Sequence, residues 1–113
     1  YPLWLGSMPA LLKAFLEQVF RPGVAFEYRA QGKMAKKLFT GKSARIVVTM
    51  GMPALVYRWF FLAHSLKSLE RNILAFCGIK PTRATLIGQV EGMNERQRAS
   101  WLDEMRGLGD VGK

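Results

Sequence analysis

The side chains able to do nucleophilic, acid–base or metal chemistry are few. One histidine, His64, and one cysteine, Cys77, are present among 113 residues, and the only aspartates are Asp103 and Asp110. A zinc site of CxxC or HxxxH type is excluded, as is an intrachain disulfide. A Ser-His-Asp triad would have to be built on His64. The eight Asp and Glu are scattered, so no carboxylate pair suited to glycoside chemistry stands out. Cys77 follows Phe76 at the end of an apolar helical pattern with no base beside it, the setting of a small buried residue rather than of a thiolate nucleophile. His64, among Ala63, Ser65 and Lys67, has the surroundings of a helix-surface residue first, with a group that handles protons as the alternative.

Phosphate and ring recognition leave clearer marks. Gly41-Lys42-Ser43 has the ending of a P-loop, but Lys36 stands where the first glycine is needed. A strand pattern also follows it, where a P-loop requires a helix. No GxGxxG or GxSxG occurs. Two loops remain: Pro2-Leu3-Trp4-Leu5-Gly6-Ser7-Met8-Pro9 and Thr49-Met50-Gly51-Met52-Pro53. Each precedes a helical pattern, at the position outside the carboxyl ends of strands where open α/β sheets bind ligands. Apolar side chains with free backbone N–H groups suit a flat heteroaromatic ring, stacked on its face and hydrogen-bonded along its edge. The same prolines and glycines also serve simply to shape turns.

The elements that must position these loops follow from periodicity. Ser7 before Pro9 predicts a capped helix start, with Leu12, Phe15, Leu16, Val19 and Phe20 as its apolar stripe and Arg21-Pro22-Gly23 as its end. Residues 23–44 lack a period and carry Arg29, Lys33, Lys36, Lys37 and Lys42 against Glu27 alone. Arg45 to Met50 predicts a buried strand. One long helix is expected from Ala54 to Phe76, with Leu55, Trp59, Leu62, Leu66, Leu69, Ile73 and Phe76 on a single seam. Gly78 fits a left-handed cap and Pro81 stops continuation. Thr82 to Val90 predicts a second strand, and Asn94 with Gln97 a capping box opening a last helix lined by Trp101, Leu102, Met105 and Leu108. The alternation predicts an α/β fold with parallel strands joined by crossovers. Two strands alone leave open edges and no sheet centre, so further strands are expected upstream of Tyr1.

PLWLGSMPALLKAFLEQVFRPGVAFEY, GKSARIVVTMG and FCGI together resemble the flavodoxin-like NAD(P)H dehydrogenase (quinone), or DT-diaphorase-like, family, over nearly the whole sequence. The resemblance implies a parallel sheet of order 2-1-3-4-5 with flanking helices, of which residues 1–113 are the C-terminal part of a single domain. Tyr1 would end strand three, Arg45 to Met50 would be strand four and Thr82 to Val90 strand five. The family binds FMN, or FAD in some members, and uses NAD(P)H as electron donor. Pro2, Leu3, Trp4 and Leu5 match its stretch beside the isoalloxazine. Thr49, Met50 and Gly51 match its second flavin loop, Thr-Thr-Gly-Gly in the animal enzyme, from which Met50 and Met52 depart. Tyr57 matches a tyrosine whose hydroxyl approaches the pyrimidine edge. His64 falls one position from a histidine that assists hydride transfer, a helical rotation of about 100°. Phe26 and Tyr28 match two aromatics that the partner subunit of a homodimer contributes to the roof of the substrate site. The implied reaction is hydride transfer from NAD(P)H to a quinone or similar acceptor through the flavin, with no metal.

Half of the residues are hydrophobic and 12% aromatic, the composition of a folded chain rather than a disordered one. Seventeen Lys and Arg against eight Asp and Glu give +9, a charge that attracts nucleic acid, anionic membrane or phosphorylated small molecules alike. No recognition helix or aromatic sheet motif singles out nucleic acid. No apolar run approaches the roughly 18 residues of a membrane span, and the opening YPLW is unlike a signal peptide. A cytoplasmic enzyme without a nucleic-acid partner is therefore expected. The competing readings are a non-catalytic flavin-binding regulatory subunit and a basic binding module for an anionic partner. Arg58, Lys67 and Arg71 would steer a pyridine nucleotide in the enzyme and otherwise form a solvated helix face.

Overall fold

The β-branched run Ala44–Thr49 forms the strand on which the rest of the molecule is assembled. In a computed structural model that describes residues 1–113, the elements are α1 (Ala10–Val19), β1 (Phe26–Glu27), β2 (Lys36–Lys37), β3 (Ala44–Thr49), α2 (Ala54–Trp59), α3 (His64–Lys67), a π-helical segment (Ser68–Leu74), α4 (Ala75–Cys77), β4 (Thr82–Ile87), a 3-10 turn (Val90–Gly92) and α5 (Glu95–Asp110). β3 and β4 pair in parallel, in register from Ala44↔Thr82 to Thr49↔Ile87. The crossover that parallel pairing demands is the helical stretch between them. On the other edge of β3 the first residues run alongside: Pro2 bridges Thr49 in parallel, the Leu3 N–H donates to the Thr49 carbonyl at 2.7 Å, and the Thr49 N–H donates to the Tyr1 carbonyl at 3.0 Å. β3 is thus an interior strand.

Strand alternation divides the layers. Ile46, Val48 and, just beyond the strand, Met50 enter a core with Leu16 of α1 and with Tyr57, Ala63, Leu66, Leu69, Leu74 and Ile79. Val47, Thr49 and Ile87 line an apolar groove with Trp101 and Met105 of α5. The Asn94–Gln97 capping box is formed as expected.

Four local expectations are corrected. The strands end earlier than Met50 and Val90, because Met50 turns inward and its N–H donates to the Ile87 carbonyl at 2.9 Å, while Gln89 turns left-handed at φ 55. Ser7 does not cap α1; Pro9 occupies the cap position without a side-chain bond, and Ser7 instead closes a tight turn with Trp4 through two backbone hydrogen bonds of 2.9 Å. Phe15 leaves the stripe of α1, being 59% exposed. The long helix is broken. Leu62 and Ala63 are both left-handed, at φ 56 and 49, and the segment after α3 is π-helical. The turn resets the helical phase and the wider π spacing moves the next buried position from Ile73 to Leu74, five residues after Leu69. Leu55, Trp59, Leu62 and Phe76 are exposed.

The basic excursion is more ordered than its composition suggests. β1 and β2 form a short antiparallel hairpin, Phe26↔Lys37 and Glu27↔Lys36. It is tied to the end of the crossover by the Phe39 N–H donating to the Cys77 carbonyl at 2.9 Å. Gly78 caps α4 in the left-handed region at φ 103, and a Cβ there would lie 3.0 Å from Lys37 Cβ, so both conformation and space call for glycine. No helix is long and apolar enough to cross a membrane.

Candidate functional site

Both loops singled out by sequence lie where the strands end. The Tyr1–Leu3 pairing with β3 brings the Trp4–Ser7 turn beside the loop that follows Thr49. Leu5 takes φ 48 in that turn and its side chain is fully exposed. Between the turn and the start of the crossover is a recess of about 340 Å³, lined by Leu5, Gly6, Met52, Tyr57, Phe61 and His64. Three residues expected at the site, Leu5, Tyr57 and His64, therefore meet. Gly6 and Met52 of the same two loops join them, and Phe61 joins them unforeseen. Phe61 reaches the recess because the chain turns back at Leu62 and Ala63, neither of them a residue that announces a left-handed turn.

Tyr57 is the anchored polar group of the recess. It is 1% exposed, and its hydroxyl oxygen accepts the Leu66 N–H at 3.1 Å. With one lone pair engaged, the phenolic proton remains available for donation. His64 is exposed at the edge of the recess. Around this rim the backbone supplies donors selectively. The Thr49 N–H is spent on Tyr1 and the Met50 N–H on Ile87, whereas the N–H groups of Gly51 and Met52 donate to no carbonyl. The Thr49 N–H is therefore not free for a ligand, and Gly51 faces Glu91, a Cβ there lying 3.8 Å from Glu91 Oε1. The Thr49 side chain lines the groove on the α5 face, away from the recess.

The other expected residues are placed as follows. Pro2 and Leu3 act through the backbone, with Leu3 packed against the core. Trp4 is 63% exposed and does not line the recess. Met50 is buried beneath the loop at 2% exposure. Phe26 and Tyr28 are elsewhere: Phe26 is buried with Ala25 and Cys77, edge-on to Phe76 at 4.9 Å and to Tyr28 at 5.3 Å. This cluster lies where the crossover ends and β4 begins, the opposite end of the strands from the recess. Phe26 is a core residue of its own chain, and Tyr28 is 75% exposed. Cys77 is buried, and burial pushes its thiol pKa up. Tyr1, whose hydroxyl shares a 3.1 Å hydrogen bond with Ser65, has its pKa raised by burial.

An apolar wall of Leu5, Met52 and Phe61 with Tyr57 and His64 in its lining, and the unpaired N–H of Met52 in the same loop, fits a flat conjugated ring. His, Cys, Asp and Glu side chains form no group of three able to hold a metal ion.

Comparison with known proteins agrees with the fold. Residues 1–107 match a family described by its flavodoxin-like fold. The chain is 27% identical over 104 residues to an uncharacterized NAD(P)H oxidoreductase of Haemophilus influenzae, covering 91% of this chain and 50% of that protein. It is 38% identical over 80 residues to the FMN-dependent NADH:quinone oxidoreductase 1 of Hahella chejuensis, covering 70% of this chain and 36% of that protein. A solved structure of a Streptococcus mutans protein superposes with a TM-score of 0.80 at 30% identity, covering 95% of this chain and 55% of the other. The chain spans about half the length, or less, of these two curated relatives.

Proposed function

The chain belongs to the family with the flavodoxin-like fold, and from that premise we propose that the whole protein is a flavin-dependent oxidoreductase that passes hydride from NAD(P)H to a quinone or similar acceptor. Residues 1–113 form part of its flavodoxin-like domain, the family match running over residues 1–107. The observation that carries this reading is the recess at the carboxyl ends of the parallel strands, an apolar wall of Leu5, Met52 and Phe61 with Tyr57 and His64 in its lining, next to a loop whose Gly51 and Met52 N–H groups are unpaired. The names of the Haemophilus and Hahella relatives support the same chemistry.

Bound FMN would supply the hydride-carrying ring; the chain's residues do the rest. Leu5, Met52 and Phe61 offer stacking area and exclude water. The Gly51 and Met52 N–H groups favour negative charge along the ring edge, because preorganised donors act without reorganisation. Tyr57, fixed by Leu66, donates a proton from a defined position, and His64 at the rim connects the recess to solvent protons. The protein acts as a cytoplasmic homodimer in which Tyr28 of one subunit closes over the recess of the other.

The test is a purified full-length protein. It is expected to bind FMN with absorbance near 450 nm and to oxidise NAD(P)H in the presence of a quinone. Tyr57→Phe should lower kcat about a hundredfold, the low end for losing a positioned acid, while FMN stays bound. A full-length protein that takes up no flavin overturns the reading.

A further inference from the structure

The loop that follows β4 supplies none of the side chains that line the recess, yet it holds the loop that does. Gly88 is the point of contact. A Cβ placed there would lie 2.4 Å from Ala54 N, 2.8 Å from Met52 O and 3.1 Å from Pro53 C. All three are backbone atoms, which cannot swing aside as a side chain can. The need here is for space alone, since Gly88 does not have a positive φ. Three backbone hydrogen bonds then tie the two loops together. The Met50 N–H donates to the Ile87 carbonyl at 2.9 Å, the Gln89 N–H to the Met52 carbonyl at 3.1 Å, and the Val90 N–H to the Met50 carbonyl at 3.2 Å. Gln89 adopts a left-handed conformation at φ 55 to complete the set, a cost that a surrounding structure must over-determine.

These bonds decide which donors are left over. They fix the peptide planes on both sides of Gly51 and Met52, whose own N–H groups remain unpaired. We propose that Gly88 is a positioning residue for the flavin ring: through its contact with Met52–Ala54 the loop after β4 sets the direction of the Gly51 and Met52 N–H groups. This rests on the reading of the recess as a flavin site. A side chain at position 88 pushes the Met52–Ala54 backbone away and turns those donors off the ring edge. Donors on that edge favour the reduced, more negative ring over the oxidised one, so their loss weakens binding of the reduced form more than of the oxidised form.

The experiment uses the full-length protein loaded with FMN. Gly88→Ala is expected to weaken FMN binding about tenfold and to lower the midpoint potential of the bound flavin. A further tenfold loss in the reduced form alone corresponds to about 30 mV for a two-electron couple. Gly92→Ala, in the same loop but facing open space, should leave affinity and potential unchanged. A merely destabilised fold would lower the melting temperature without moving the potential. If Gly88→Ala does not fold, hydrogen exchange on the wild type decides. FMN should then slow exchange at the Gln89 and Val90 amides together with that at Gly51 and Met52. A wild type that takes up no FMN removes the flavin reading, and this proposal with it. A wild type that takes up FMN, with Gly88→Ala unchanged in affinity and potential, overturns the positioning role alone. So does exchange at Gln89 and Val90 that FMN does not alter.

Discussion

At the scale of single residues, Cys77 shows how burial converts into a pH dependence. The thiol is 1% exposed beside Ala25 and Phe26, and burial raises its pKa because the thiolate would lose its hydration. The folded state therefore keeps the proton where the unfolded chain releases it. The contribution is fully present below the unfolded thiol value, about 8.5, and is lost as pH rises toward the folded value, at up to about 1.4 kcal/mol per pH unit. Urea unfolding of the wild type should show stability declining above that pH, and Cys77→Ala should flatten the decline. Equal slopes for the two proteins would contradict the assignment. The inert reading of Cys77 was legible in the sequence, since its neighbours are apolar and no base is adjacent. Phe61 was not legible as a site residue. Its place depends on a backbone turn at Leu62 and Ala63, and neither residue type signals one.

At the scale of elements, the strands were legible and the crossover was not. Arg45-Ile46-Val47-Val48 lies between glycines and has few ways to fold other than as a buried strand, so only its ends moved, by one residue. The crossover pattern, with apolar residues at alternating steps of four and three, is what one continuous helix would show. Two features defeat it: the left-handed pair Leu62 and Ala63, and the π segment Ser68–Leu74. Both lie beside the recess or directly after it, as strained and π-helical segments often do at functional sites. Ala63 sits at φ 49, ψ 45, where a Cβ costs about 1–2 kcal/mol. Its methyl is also part of the core, so Ala63→Gly gives up about 0.8 kcal/mol of burial and roughly half to 1 kcal/mol of unfolded-state entropy. The terms nearly cancel, and Ala63→Gly should leave stability within about 1 kcal/mol of the wild type, read from the urea midpoint at unchanged m-value. A loss of about 1.5 kcal/mol or more would show that the conformation carries no strain.

At the scale of the whole molecule, the two ends of the sheet carry different equipment. The recess lies at the carboxyl ends of the strands, and the hairpin with Tyr28 lies at the other end, beside Phe76 and Cys77. Strands of six residues separate those ends by about 20 Å, beyond the reach of any side chain. Tyr28 cannot close its own recess. Its ring is nevertheless 75% exposed, and Val24 at 50% and Met34 at 83% are exposed in the same hairpin segment; exposed apolar groups on one projection mark an interface more readily than scattered ones do. If that interface is a second copy of the same protein, each hairpin completes the opposite recess. Tyr28→Ala in the full-length enzyme should then alter the KM for the acceptor severalfold while leaving FMN content and melting temperature nearly unchanged. Phe26→Ala, by contrast, should cost about 3–5 kcal/mol of stability, because Phe26 is core. The decisive measurement combines lesions. Heterodimers of a Tyr28→Ala subunit with a Tyr57→Phe subunit place both defects in one of the two shared sites and leave the other intact. They should recover about half the wild-type rate, the statistical share of intact sites in a symmetric dimer. A full-length enzyme that is monomeric at working concentration and fully active would remove the shared site, as would heterodimers no more active than either parent.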